Sequence, residues 1–148
     1  MSRLTFLLAS GFGLGLAPVA PGTFGSLAGI PLYLAILHVT TAPVPTLLLV
    51  GLAILLACWV AREAERAIGE HDSGQIVIDE IVGMLVALLW IPPTLEAVVG
   101  TFLVFRVLDI LKPWPANLID RRVPGGAGIV LDDVVSGVYA NLLMRLVV

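Results

Sequence analysis

The sequence predicts an all-α fold: a compact bundle of about six helices, several membrane-embedded or re-entrant, with polar loops gathered on one face. Three observations predict it. The 148 residues are 59% hydrophobic and 13% charged, with mean hydropathy +1.05, whereas soluble domains carry roughly 25% charged residues. No Asp, Glu, Lys or Arg lies between Arg3 and Arg62, a stretch able to cross a hydrocarbon core of about 30 Å more than once. The apolar runs also exceed ordinary strands of roughly 3–10 residues. The length suits a single domain, 1–148. A compact soluble helical oligomer is the structural alternative.

The runs follow in order. Residues 4–16 form the first. Its early Arg3 and the small residues near Ala20 imitate a secretion signal, but the glycines after it and Thr23 need it as an anchor, so it is read as retained. "APVAPG" at 17–22 breaks the chain before the run 24–37, and "TTAPVP" at 40–45 before 45–61. "GEHDSG" at 69–74 precedes 76–91, and "IPPT" at 91–94 precedes 95–111. A long Pro- and Gly-rich segment, 112–128, leads to the last run, 131–148. Pro and Gly punctuate every break.

Alternating the helices puts loops 17–23, 62–75 and 112–130 on one side, with Arg62, Arg66, Lys112, Arg121 and Arg122. Loops 38–45 and 92–95 on the other side hold no Lys or Arg. The positive-inside rule makes the first side cytoplasmic. Arg145 is the exception and snorkels to the far interface.

Charges concentrate on that first side. Asp79 and Glu80 head the run 76–91, where a helix dipole explains one carboxylate better than two. Arg106, Asp109 and Lys112 follow at i, i+3, i+6 along one helix face. Asp132 and Asp133 head the last run, and one member of each adjacent pair can face the cluster while the other supports it. Carboxylates gathered without a cation repel, and an oxygen-only ligand set suits a hard ion such as Mg²⁺. Nearby Arg and Lys suit a phosphate. "APGTFGS" at 20–26 adds a Gly-flanked hydroxyl, Thr23, before a helix whose N–H groups favour anions. Together these read as phosphoryl chemistry at a membrane face, against a bland reading of structural ion pairs. His71 and Asp72 are read as a solvated loop rather than a relay.

Several classes are excluded. A net charge of −3 argues against nucleic acid. Cys58, the only cysteine, gives no disulfide frame, and Arg62, four positions on, lacks the spacing of a C-x5-R phosphatase. No Gly-Lys-Ser/Thr follows the glycines.

The segments "GFGLGLAPVAPGTFGSLAGIPL", "QIVIDEIVGM" and "FRVLDILKPWPANLIDRRVPGGAGIVLDDVVSGVYAN" together closely resemble the phosphatidylglycerophosphatase A family, over nearly the whole chain. The resemblance implies a Mg²⁺-dependent lipid phosphatase that converts phosphatidylglycerophosphate to phosphatidylglycerol and phosphate. It implies a multi-pass protein of the bacterial inner membrane with its site facing the cytoplasm. Asp79, Glu80, Asp109 and Asp133 are then the catalytic and metal-binding residues, and Thr23, Arg106, Lys112 and Arg121 bind the substrate phosphate. Asp132 and Arg122 match too, and Asp132 and Asp120 are read as supporting their neighbours. Attack by a water that Asp79 or Glu80 deprotonates, and direct attack by an Asp to give an aspartyl-phosphate, both fit. The partners are the lipid substrate and the bilayer, with no nucleic acid, and an oligomer is left open. The rival is a non-enzymatic membrane scaffold or transporter with buried ion pairs.

Overall fold

Seven α-helices and no strand make up the computed structural model, which describes residues 1–148. They are α1 Arg3–Ala9, α2 Pro21–Val39, α3 Pro43–Ile68, α4 Ile78–Leu88, α5 Leu95–Leu111, α6 Ala116–Arg122 and α7 Gly125–Arg145, with a 3₁₀ turn at Leu14–Leu16. α2, α3 and α7 are long and apolar enough to cross a membrane. The outer face of α3 carries exposed Leu48, Leu52, Leu55 and Trp59, as expected of a surface against lipid.

α4, the shortest of the helices in the central bundle, is the most buried. Met84, Leu85, Ala87 and Leu88 of α4 have no exposed surface, and α7, α2, α3 and α5 pack around it. Its 11 residues reach only about 16 Å at 1.5 Å per residue, half of a bilayer core. A helix ending inside an apolar layer leaves carbonyls that need donors. Asn141 supplies two, with Nδ2 donating to the carbonyls of Ala87 at 2.9 Å and Leu89 at 2.7 Å. Arg145 Nη2 donates to Leu89 at 3.2 Å, its guanidinium 5.7 Å from the Trp90 ring. The Tyr33 hydroxyl donates to Ile91 at 2.6 Å. Arg145 therefore caps α4 at the end opposite the acidic residues.

Small residues let α4 sit this deep. A Cβ on Gly83 would lie 2.7 Å from Phe105 Cζ and 3.0 Å from the Asp133 carbonyl. On the neighbouring helix, Gly137 packs directly on the Gly83 carbonyl.

Four boundaries differ from the sequence reading. The first run breaks after Ala9, because Gly11, Phe12 and Gly13 all take positive φ. α3 continues to Ile68, carrying Arg62 and Arg66 on its last turns. Residues 112–128 contain α6, since Pro115 sits at a helix N-cap rather than breaking a helix. α7 starts at Gly125, six residues early, because Gly126 lies against the α3 backbone at Cys58 and Arg62 where no side chain fits. Asp132 and Asp133 are thus inside α7, not at its head. Asp133 lies about 12 Å along the axis from the first residue.

The starts of α2, α4 and α7 and the ends of α3 and α5 share one end of the bundle. All three acidic segments of the sequence reading come from that end.

Candidate active site

Asp79 and Glu80 occupy the first turn of α4, whose N-cap, Val77, offers no side-chain acceptor. That turn's free N–H groups and dipole favour negative charge. Asp133 comes from α7, and ligand oxygens of Asp79, Glu80 and Asp133 lie within 4.8 Å of one another. Asp79 and Asp133 are 4% and 2% exposed. One oxygen of each residue, Asp79 Oδ1, Glu80 Oε2 and Asp133 Oδ2, is buried and has no hydrogen-bond partner. Buried polar atoms are nearly always paired, and three carboxylates this close repel unless a cation lies among them. An all-oxygen, anionic donor set with unfilled lone pairs fits a hard divalent cation such as Mg²⁺.

Asp109, which the sequence reading grouped with these ligands, is placed differently. It bonds Arg106 one turn earlier on α5, with the two side chains 9% and 16% exposed. Asp109 thereby holds a guanidinium beside Glu80, and it is not one of the three residues whose oxygens converge. Arg106 Nη1 also donates to Ser26 Oγ at 3.4 Å, and Ser26 donates to the Gly22 carbonyl at 2.8 Å. Arg106 Nε is buried without an acceptor, so it keeps a donor for a ligand.

The "PGTFGS" segment closes the site from α2. A Cβ on Gly22 would stand 2.5 Å from Glu80 Oε1 and 3.3 Å from Arg106 Nη1, so any larger residue would push these two side chains out of place. α2 starts there with no side-chain cap, behind Ala20 at φ +48. Its N-terminal dipole therefore points toward Glu80 and Arg106. Thr23 is half-buried in that first turn.

Lys112, expected at the phosphate, lies among acids. Its ammonium bonds Asp132 and lies 3.5 Å from Asp120. Burial opposes its charge, but the Asp132 hydrogen bond and the charges of Asp132, Asp133 and Asp120 hold its pKa above the ordinary lysine range. Arg121 and Arg122 are exposed on α6 and make no ion pair. They line a separate cleft of about 300 Å³ with Glu65, His71 and Asp120. His71 pairs with Glu65, not with Asp72.

Ser26 and Gly22 were not singled out by sequence. Their signal was the four-residue spacing within "GTFGS", which puts a hydroxyl under the Gly22 carbonyl. Asn117, whose Oδ1 is buried without a partner, carried no such signal.

A family model described as phosphatidylglycerophosphatase A matches residues 7–148. The chain is 40% identical over 141 residues to "Phosphatidylglycerophosphatase A" of Escherichia coli (strain K12), covering 95% of this chain and 81% of that one. It is 40% identical over 139 residues to the protein of the same name from Haemophilus influenzae, covering 93% and 85%. A Bacteroides thetaiotaomicron protein named "Putative phosphatidylinositol-3-phosphatase" is 36% identical over 149 residues, covering 97% and 92%. No solved structure matches.

Proposed function

The chain belongs to the phosphatidylglycerophosphatase A family, and from that premise we propose that it hydrolyses the phosphomonoester of phosphatidylglycerophosphate with Mg²⁺. It is a phosphoric monoester hydrolase, which sets aside the scaffold and transporter reading. The proposed products are phosphatidylglycerol and phosphate, formed by one domain, 1–148, at the cytoplasmic face of the inner membrane. One observation carries the Mg²⁺ reading: three buried carboxylates, each with an unpartnered oxygen, converge within 4.8 Å.

Asp79, Glu80 and Asp133 would hold the ion. When bound, Mg²⁺ supplies positive charge against the phosphate oxygens and acidity to a water. Arg106, fixed by Asp109 and Ser26, offers its free Nε–H to the phosphate, as guanidinium groups do. The start of α2 adds N–H groups and the Thr23 hydroxyl to the same side. Glu80, less buried than Asp79, takes the proton of the attacking water. The oxygen–phosphorus bond to the glycerol breaks, and the glycerol oxygen takes up a proton. Burial of Asp79 and Asp133 excludes bulk water, which strengthens each of these charge interactions.

The test is phosphate release from phosphatidylglycerophosphate in detergent micelles, with Mg²⁺ and with excess EDTA. Release only with the metal supports the reading, and undiminished turnover in EDTA overturns it. Phosphatidylinositol 3-phosphate, the substrate class in the Bacteroides relative's name, belongs in the same assay.

A further inference from the structure

We propose that an acyl chain of the lipid substrate lies in the cleft between the Gly11–Leu14 turn and α2; this rests on the lipid phosphatase reading above. The cleft encloses about 530 Å³ and is lined by Phe12, Leu14, Ala28, Pro31, Leu32 and Ile81, with no charged group. Its position relative to the carboxylates carries the inference. Ile81 follows Glu80 in α4, and Gly11 packs on Val77 and Ile81, where a Cβ would lie 3.0 and 3.1 Å away. The start of α2 at Gly22 lies against Glu80. Ala28 and Leu32 come six and ten residues later, about 9 and 15 Å farther along the helix. The cleft therefore begins at the level of the carboxylates. It runs away from the polar end along a helix apolar and long enough to cross a membrane. A lipid whose phosphate meets Glu80 and Arg106 has to send its chains in this direction.

Two further features single the cleft out. Phe12 is held at φ +57 between Gly11 at +57 and Gly13 at +95, a conformation unfavourable for a bulky residue. The residue is nevertheless 77% exposed, so core packing does not repay the strain; the turn stands Phe12 at the edge of the cleft. Other apolar grooves run along α3 at Leu48, Leu52 and Leu55, about 460 Å³, and between α5 and α7 at Leu103 and Leu143, about 280 Å³. The α3 groove has no lining residue next to a site residue; the α5–α7 groove has Val107 and Leu108 beside Arg106 and Asp109, but it is about half the size of the cleft. Lipid tails are as apolar as leucine, so the cleft adds little affinity over the bilayer. Its effect is to orient the headgroup, which is where misplacement slows a reaction.

The test compares turnover of the diacyl substrate with turnover of its deacylated, water-soluble headgroup. In Ala28→Trp, which fills the cleft, the diacyl-to-deacylated ratio should fall at least ~10-fold. Gly51→Trp, placed in open space on the α3 groove, should leave the ratio as in the wild type. Independently of any variant, a substrate analogue with a mid-chain diazirine should label residues 11–14 and 28–32 on illumination. An unchanged ratio in Ala28→Trp, or equal labelling of residues 47–55, overturns the proposal. Wild-type protein that hydrolyses neither substrate overturns instead the activity on which it rests.

Discussion

The backbone N–H of Asp133 donates to Oδ1 of Asp132 at 2.9 Å, while the other Asp132 oxygen bonds Lys112. The two adjacent acids thus divide the work in the way the sequence reading allowed for such a pair. Asp132 ties α7 to the end of α5, and Asp133 turns its carboxylate to Asp79 and Glu80. Asp132 is 1% exposed, so stripping away its cation leaves a buried charge uncompensated. Lys112→Met should therefore destabilise the protein by about 3 kcal/mol, the scale for breaking a buried pair from one side. Lys112→Met combined with Asp132→Leu should cost clearly less than the two single losses added together. Denaturation in detergent measures the cycle, and simple additivity would mean that the pair is not coupled.

The three clustered carboxylates should behave in the opposite way. Asp79→Asn, Glu80→Gln and Asp133→Asn each remove repulsion from the metal-free protein, so in EDTA each variant should melt at or above the wild type. Each should also lose the stabilisation that Mg²⁺ or Mn²⁺ gives the wild type, and at least ~100-fold in turnover. Residues that were merely structural ion pairs would instead melt lower and show no metal effect. Asp109→Asn separates from this group: it frees Arg106, so it should lose both activity and stability.

Gly22→Ala tests the approach of α2. The added methyl meets Glu80 Oε1 and Arg106 Nη1, both at the ends of flexible side chains that can give way. Turnover should fall about 10- to 100-fold, the cost of small misplacement at a reacting centre, with little change in melting. Gly83→Ala meets the Phe105 ring and the Asp133 backbone instead. It should cost about 1–3 kcal/mol of stability, as overpacking does.

His71 gives a readout outside the apolar layer. Its hydrogen bond to Glu65 holds its pKa above the ordinary 6.5, with burial opposing and the charges of Glu65, Asp72 and Asp120 assisting. Because the folded value is the higher one, any stabilisation is full below pH 6.5 and is lost as pH rises through the folded pKa. An NMR titration should show a midpoint above 6.5 that drops in Glu65→Gln. An unmoved midpoint in that variant would assign the shift to another neighbour.

Some of this was legible in the sequence and some was not, for physical reasons. α5 matches the run 95–111 because Thr94 caps its start and Lys112, at φ +47 before Pro113, ends it. The i, i+3 spacing of Arg106 and Asp109 signalled contact between them, but not that Asp109 would stand beside the three-oxygen cluster rather than in it. The start of α7 was hidden because glycines lower helix propensity. Close packing of Gly126 on α3 overrides that preference. Arg121 is one residue after Asp120, which reaches Lys112, yet the turn of α6 carries it outward to solvent. A string of residues shows that charges are close along the chain, and the pitch of the helix decides which of them meet.

The final prediction concerns sidedness. The ends of α3 and α5, with α6 after them, carry Arg62, Arg66, Lys112, Arg121 and Arg122. The turns at 40–42 and 89–94 on the other side carry no Lys or Arg. By the positive-inside rule, the basic end is expected in the cytoplasm. A phosphate headgroup in that leaflet could then reach Arg106 and Glu80 while its chains stay in the apolar layer. Cysteine labelling checks this, starting from Cys58→Ala. Ser73 is buried and Gly126 abuts α3, so labels belong on exposed neighbours. Glu70→Cys and Arg122→Cys should react with a membrane-impermeant thiol reagent only from the cytoplasmic side. Thr41→Cys, exposed in the α2–α3 turn, should react only from outside. If Glu70→Cys and Arg122→Cys labelled from opposite sides, the loop before Asp79 and the loop before Asp133 would lie across the membrane from each other. Asp79 and Asp133 could not then share one ion, and the hydrolytic site assembled from α4, α5 and α7 would be wrong.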